Sequence, residues 1–159
     1  MDIKAFKMDG LGNDFVIVDR RKSEINLTKE QIIKIGDRNN VGFDQIIFIE
    51  KKVKDVLPIK IYNPDGIEVG ACGNGSRCIA YLISKENNQK TIKLEAQNKI
   101  LEAEILSEKL VRINMGLPEF KDNKSIPIKE GLDPRKVSID FIQKEYGNGI
   151  CVNVGNPHI

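Results

Sequence analysis

The stretch that most constrains this chain is an apolar strand that ends in a proline turn and leads into a cysteine framed by glycines. Residues 56–62 read as the strand. Asn63-Pro64-Asp65-Gly66 is the turn, with proline second and glycine fourth. Val69-Gly70-Ala71-Cys72-Gly73-Asn74-Gly75 follows. Cys78, Ile79, Ala80, Leu82 and Ile83 then repeat at three- and four-residue spacing, which predicts a helix from about Gly75 to Glu86, stopped at Asn87-Asn88. Cys72 therefore falls at or just before a helix N-terminus. Free N–H groups and the positive end of the dipole there lower a thiol's pKa and raise its thiolate fraction. The residues alone fit either a reactive thiol or a small side chain chosen for tight packing.

The rest of the chain reads as short alternating elements. Residues 3–8 and 15–19 are strands around the turn Asp9-Gly10-Leu11-Gly12-Asn13-Asp14, and together they predict a hairpin. Asn13 fits that turn simply as an asparagine tolerant of unusual backbone angles. Thr28 and Gln31 have the spacing of a capping box, and Ile32, Ile33 and Ile35 supply the apolar positions of a helix ending between Asp37 and Asn39. Residues 46–49 are a strand, and Gln45 before it is either a solvated end or a ligand contact. Residues 91–96, 100–105 and 110–115 form a meander of strands. Such a meander after a helix predicts an α+β fold and not a doubly wound parallel sheet. Gly116-Leu117-Pro118 breaks the pattern and is the expected domain boundary. A last strand over 149–154 leads to the turn Gly155-Asn156-Pro157-His158, where His158 is the one histidine of the chain.

Composition removes several classes of function. The 159 residues are 40% hydrophobic and 30% charged, enough for one ordinary domain, or one domain and part of a second. Against 23 acidic residues stand 25 basic ones, a balance that argues for neither nucleic acid nor membrane. No apolar run approaches the roughly 18 residues of a membrane span. The N-terminus Met1-Asp2-Ile3-Lys4 has no signal-peptide core, so the cytoplasm is expected. Three cysteines in such a chain do not make a disulfide framework. Five residues between Cys72 and Cys78, with a single histidine, do not make a zinc site. Gly73-Asn74-Gly75 begins a dinucleotide fingerprint, but its third glycine falls on Cys78, and no phosphate-loop lysine is present. Cys78, inside the helix, and Cys151, in a strand, read as small buried hydrophobes.

Five blocks decide among the readings. Met8-Asp9-Gly10-Leu11-Gly12-Asn13-Asp14-Phe15, Val41-Gly42-Phe43-Asp44-Gln45, Asn63-Pro64-Asp65-Gly66, Ala71-Cys72-Gly73-Asn74-Gly75-Ser76-Arg77 and Gly155-Asn156-Pro157-His158 resemble the successive signatures of diaminopimelate epimerases. They stand in that family's order and span the whole chain. Asp9 departs from the pattern, where many members carry histidine.

The resemblance implies an isomerase that interconverts LL- and meso-diaminopimelate, on the way to lysine and peptidoglycan, with neither pyridoxal phosphate nor metal. Two cysteines would face opposite sides of the substrate α-carbon, and Cys72 matches the first. Gly73 and Asn74 match the helix-start residues that hold the α-carboxylate. Asn13, Gln45, Asn63 and Asn156 match substrate contacts, and His158 the histidine that tunes the cysteine pair. The family fold is a pair of pseudo-symmetric α+β domains, each a curved antiparallel sheet wrapped round a central helix. Residues 1–117 would be the first domain and 118–159 the incomplete beginning of the second. The second catalytic cysteine and a Glu-Arg contact pair have no match here. The expected partners are the small-molecule substrate and, at full length, a second copy in a homodimer. The alternatives are a related racemase or isomerase of the same fold, and a non-catalytic truncated fragment.

Overall fold

The computed structural model describes residues 3–120, 128, 131–138, 147–155 and 157–159. It comprises two compact units, Met1–Asn114 and Met115–Ile159.

The first unit opens with β1 (Ala5–Gly10) and β2 (Asn13–Asp19), an antiparallel hairpin with Gly10 opposite Asn13. The loop is only Leu11-Gly12, and both residues have positive φ, 54° and 86°. That left-handed pair matches the twist of the strands, so the strands continue closer to the turn than the sequence predicts. Next comes α1 (Lys29–Gly36), then β3 (Gln45–Ile49) and β4 (Val56–Tyr62). The capping box at α1 is formed: Thr28 Oγ1 accepts from the Gln31 N–H, and Gln31 Oε1 accepts from the Thr28 N–H. A two-residue strand, β5 (Glu68–Val69), folds back on β4. Its shortness hid it from a reading of periodicity.

After α2 (Gly73–Asn87) come β6 (Thr91–Ala96), β7 (Lys99–Ser107) and β8 (Leu110–Asn114). The sheet order is β1-β2-β3-β4-β6-β7-β8, with β5 paired to β4. The pairing is mixed, not wholly antiparallel as expected: β2 runs parallel to β3, and β4 parallel to β6. The cause is connectivity. A helix joins each of these pairs, and a helical crossover returns the chain to the same end of the sheet. The fold class is α+β, as the strand meander predicts.

Burial follows from that arrangement. Phe15 to Val18 and Ile46 to Ile49 are buried on both faces, hence their unbroken apolar runs. Val16, Val18, Ile46 and Phe48 cluster with Ile32 of α1 and with Phe43. Their neighbours Phe15 and Ile47, of opposite parity, face the start of α2, where both approach Gly75. The two helices thus cover opposite faces. Helix α2 touches β1 and β2 near one end of the strand order and β6, β7 and β8 at the other, so the sheet curls round it. Cys78 is buried in α2, as its apolar spacing implies.

In the second unit, β9 (Val152–Asn153) pairs antiparallel with β10 (Pro157–His158). The sequence predicts a longer strand followed by a turn; instead the chain returns as a strand, and His158 lies on it, opposite Val152 and exposed. Asn153 Oδ1 accepts from the Gly155 N–H at 2.7 Å, and Gly155 has a φ of 116° that turns the chain back. Cys151 is 2% exposed, and its N–H donates to the Pro134 carbonyl at 2.7 Å, the core role expected. The candidate Asn156 lies outside the described residues.

Candidate active site

Cys72 is the N-cap of α2, with extended backbone angles, φ −146° and ψ 102°. Its sulfur accepts from the Gly75 N–H at 3.3 Å, the contact that a serine or aspartate oxygen makes at other helix starts. Gly75 is required by closeness: a Cβ there would meet Ile47 Cδ1 at 2.5 Å and the Cys72 sulfur at 3.3 Å. The helix backbone at Gly75 therefore packs directly on the Ile47 side chain of β3, next to the thiol.

The electrostatics differ from the expectation. The dipole and the free N–H groups predict a lowered thiol pKa. Burial instead pushes the Cys72 thiol above the ordinary cysteine value, and it outweighs the backbone N–H groups of Gly75 and Asn74 and the charge of Arg77, which act downward. Asp44 adds to the rise. The helix-start effect is present with the predicted sign and is smaller than desolvation. Cys78 is raised further, to about 11, by burial first and then by Cys72 and Asp9.

The other predicted residues of the first unit come together in two pairs. Asn74 Nδ2 donates to Asn13 Oδ1 at 2.7 Å, which joins the hairpin end to the first turn of α2. Gln45 Nε2 donates to Asn63 Oδ1 at 3.3 Å, which joins the start of β3 to the turn after β4. That turn is held from behind. Gly66 has φ 75° and closes the turn through its N–H to the Asn63 carbonyl at 2.9 Å. A Cβ at Gly36 of α1 would stand 3.1 Å from the Pro64 ring, so α1 packs directly on the turn. Gly73 is the first residue of α2.

An ionic clasp not anticipated from the sequence braces these residues. Asp14 and Asp44 exchange bonds: each backbone N–H donates to the other's carboxylate at 3.0 Å. Arg38 bridges both, with 2.7 and 2.9 Å to Asp14 and 2.7 Å to Asp44. Lys7 adds a contact of 2.6 Å to Asp14. Asp14 and Asp44 stand inside two of the quoted blocks, beside Asn13 and Gln45, and that adjacency was the available signal. A cavity of about 550 Å³ flanks Asn74, lined by Arg77, Cys78, Asp9 and Tyr81 among others; Cys72 does not line it.

A diaminopimelate epimerase family model matches residues 5–121, which covers the hairpin, both amide pairs and Cys72. The chain belongs to the diaminopimelate epimerase family. Its relatives include the diaminopimelate epimerase of Pelagibacter ubique, 47% identical over 100% of this chain and 59% of that protein. The Phenylobacterium zucineum enzyme of the same name is 35% identical over 96% of this chain and 56% of its own length. The chain thus spans somewhat more than half the length of these epimerases. Among solved structures, a predicted epimerase from Pseudomonas aeruginosa is similar with a TM-score of 0.58 at 14% identity, over 78% of this chain and 48% of that one. A PhzF-family phenazine biosynthesis protein from Bacillus anthracis reaches 0.52 at 22% identity, over 76% and 41%. At these identities the two structures bear on the fold alone. No helix among the described residues is long and apolar enough to cross a membrane.

Proposed function

We propose that this chain supplies one half of a diaminopimelate epimerase site, in which Cys72 exchanges the α-proton of the substrate with a second thiol carried elsewhere. The observation that carries the reading is Cys72 at the first turn of α2, with Asn13 and Asn74 hydrogen-bonded beside it. Membership of the family supports the substrate.

The chemistry follows from the groups. The α-hydrogen of an amino acid is a very weak acid. Helix N–H groups at Gly73 and Asn74 would hold the α-carboxylate and stabilise the negative charge that develops as the proton leaves. In one direction the Cys72 thiolate takes the proton and becomes a thiol, while the opposing thiol delivers a proton to the other face and becomes a thiolate. The reverse reaction exchanges the roles. Burial biases Cys72 toward the protonated form in the ligand-free chain, which suits the donor half of that cycle. Asn13, Gln45, Asn63 and Asn156 would hold the zwitterionic ends of the substrate, since amides both donate and accept. His158 would tune the cysteine pair. No cofactor enters this scheme.

In this reading residues 1–117 form the first domain and 118–159 begin the second. The full-length protein is a cytoplasmic homodimer serving lysine and peptidoglycan precursor synthesis. The test is conversion of LL- to meso-diaminopimelate. The 159-residue chain alone should give little or none, and fusion to the remaining part of the Pelagibacter ubique relative should restore it, but not with Cys72→Ala. Conversion by the 159 residues alone at the rate of the longer enzyme would reject the two-thiol scheme.

A further inference from the structure

Four side chains beside Cys72 are joined in a line. Asp44 Oδ2 accepts from Asn13 Nδ2 at 3.1 Å. Asn13 Oδ1 accepts from Asn74 Nδ2 at 2.7 Å. Asn74 Oδ1 accepts from Arg77 Nη2. The line starts in the loop before β3, passes the end of the β1–β2 hairpin, and finishes on α2, where Asn74 and Arg77 are three residues apart and so neighbours on the helix surface.

The two ends differ in kind. An ionised carboxylate only accepts hydrogen bonds, and a guanidinium only donates them. A primary amide does both, and nothing in its shape tells one orientation from the other. Between an obligate acceptor and an obligate donor the two amides have a single consistent orientation, with each NH2 toward Asp44 and each oxygen toward Arg77. Turning either amide round would set oxygen against carboxylate, or NH2 against guanidinium, and leave like groups facing. The carboxylate end is itself immobilised, because Asp44 also accepts from Arg38 at 2.7 Å and from the Asp14 N–H at 3.0 Å.

This orientation has a chemical result. Each amide spends one N–H in the line and keeps a second, and each oxygen has one of its two lone pairs engaged by the neighbour on its Arg77 side. We propose that Asp44 and Arg77 are positioning residues that lock Asn13 and Asn74 in this one orientation, so that each amide offers its spare N–H in a fixed direction to an anionic group such as a carboxylate. The proposal rests on the reading above, in which these two asparagines face the substrate.

Side-chain amide resonances of Asn13 and Asn74 in the 15N-labelled 159-residue chain test it. Arg77→Met should shift the NH2 signals of Asn13 as well as Asn74, although Asn13 is one link removed from Arg77. Arg77→Lys keeps a donor-only end and should leave Asn13 at its wild-type position. Both substitutions are at the end of the line away from the Asp14–Asp44 clasp, so the fold is kept; Asp44→Asn, which can donate or accept, should shift Asn74 from the other end. In the same samples, titration with diaminopimelate should show affinity about tenfold lower in Arg77→Met, the factor expected from about 1.4 kcal/mol, and within about twofold of wild type in Arg77→Lys. Shifts confined to Asn74 in Arg77→Met would overturn the proposal, and so would unchanged affinity in that variant. Coupled shifts in a wild-type chain that ignores diaminopimelate would uphold the positioning role and reject the substrate reading.

Discussion

A Cβ atom at Gly75 would stand 2.5 Å from Ile47 Cδ1, so the first turn of α2 and the middle of β3 meet at a distance only glycine allows. Ile47 is fully buried and cannot swing its methyl into solvent. Gly75→Ala should therefore lower stability. Overpacking costs about 1–3 kcal/mol, against about 1 kcal/mol gained in helix propensity. The net expectation is a loss of about 1 kcal/mol, read as a lower urea midpoint. In an Ile47→Val background the same change should cost less, because the δ-methyl is gone. Equal costs in both backgrounds would place the strain elsewhere.

The raised Cys72 pKa makes the thiol slow to alkylate at neutral pH. Iodoacetamide labelling of Cys72, followed by mass spectrometry, should rise with pH through a midpoint above that of an ordinary cysteine. Arg77→Met removes a charge that lowers the pKa and should move the midpoint up. Asp44→Asn removes one that raises it and should move the midpoint down.

Cys78 links thiol burial to alkaline stability. Its native pKa is about 11, against about 8.5 in an unfolded chain. Between those values the unfolded chain has lost the proton and the native chain keeps it, so stability falls as pH rises through that window. Cys78→Ala should be less stable than wild type at pH 7 by about 1 kcal/mol for the cavity, and the difference should narrow between pH 8.5 and 11.

Arg38, with Lys7 beside it, holds the Asp14 carboxyl well below the usual carboxylate range, against the opposing effect of burial. A depressed carboxylate stabilises the fold above its unfolded pKa near 3.9, and that contribution is lost as pH falls toward the native value. Asp14→Asn should cost about 1 kcal/mol or less at pH 7, a figure kept small because Arg38 is largely exposed. The gap to wild type should shrink in urea melts at pH 2.

Much of this was legible in the sequence because local chemistry decides it. The strands Val56–Tyr62 and Thr91–Ala96 match their apolar runs residue for residue, and Thr28 with Gln31 form the predicted cap. Parallel pairing was not legible, since it depends on where α1 and α2 return the chain. The sign of the Cys72 shift was not legible for a similar reason: the helix start is local, while the burial that outweighs it is set by the packing of the whole fold. The Asp14–Asp44 clasp joins residues 30 apart, and only their adjacency to Asn13 and Gln45 hinted at it.

The central claim is that Cys72 faces the α-carbon of diaminopimelate. Its most direct test is the alkylation rate of Cys72 in the 159-residue chain with increasing diaminopimelate, and with proline as the competing amino acid. Diaminopimelate should slow labelling of Cys72 in a saturable way and leave Cys151 unchanged, while proline has no effect. An identical rate with and without diaminopimelate, or equal protection by proline, would contradict the account.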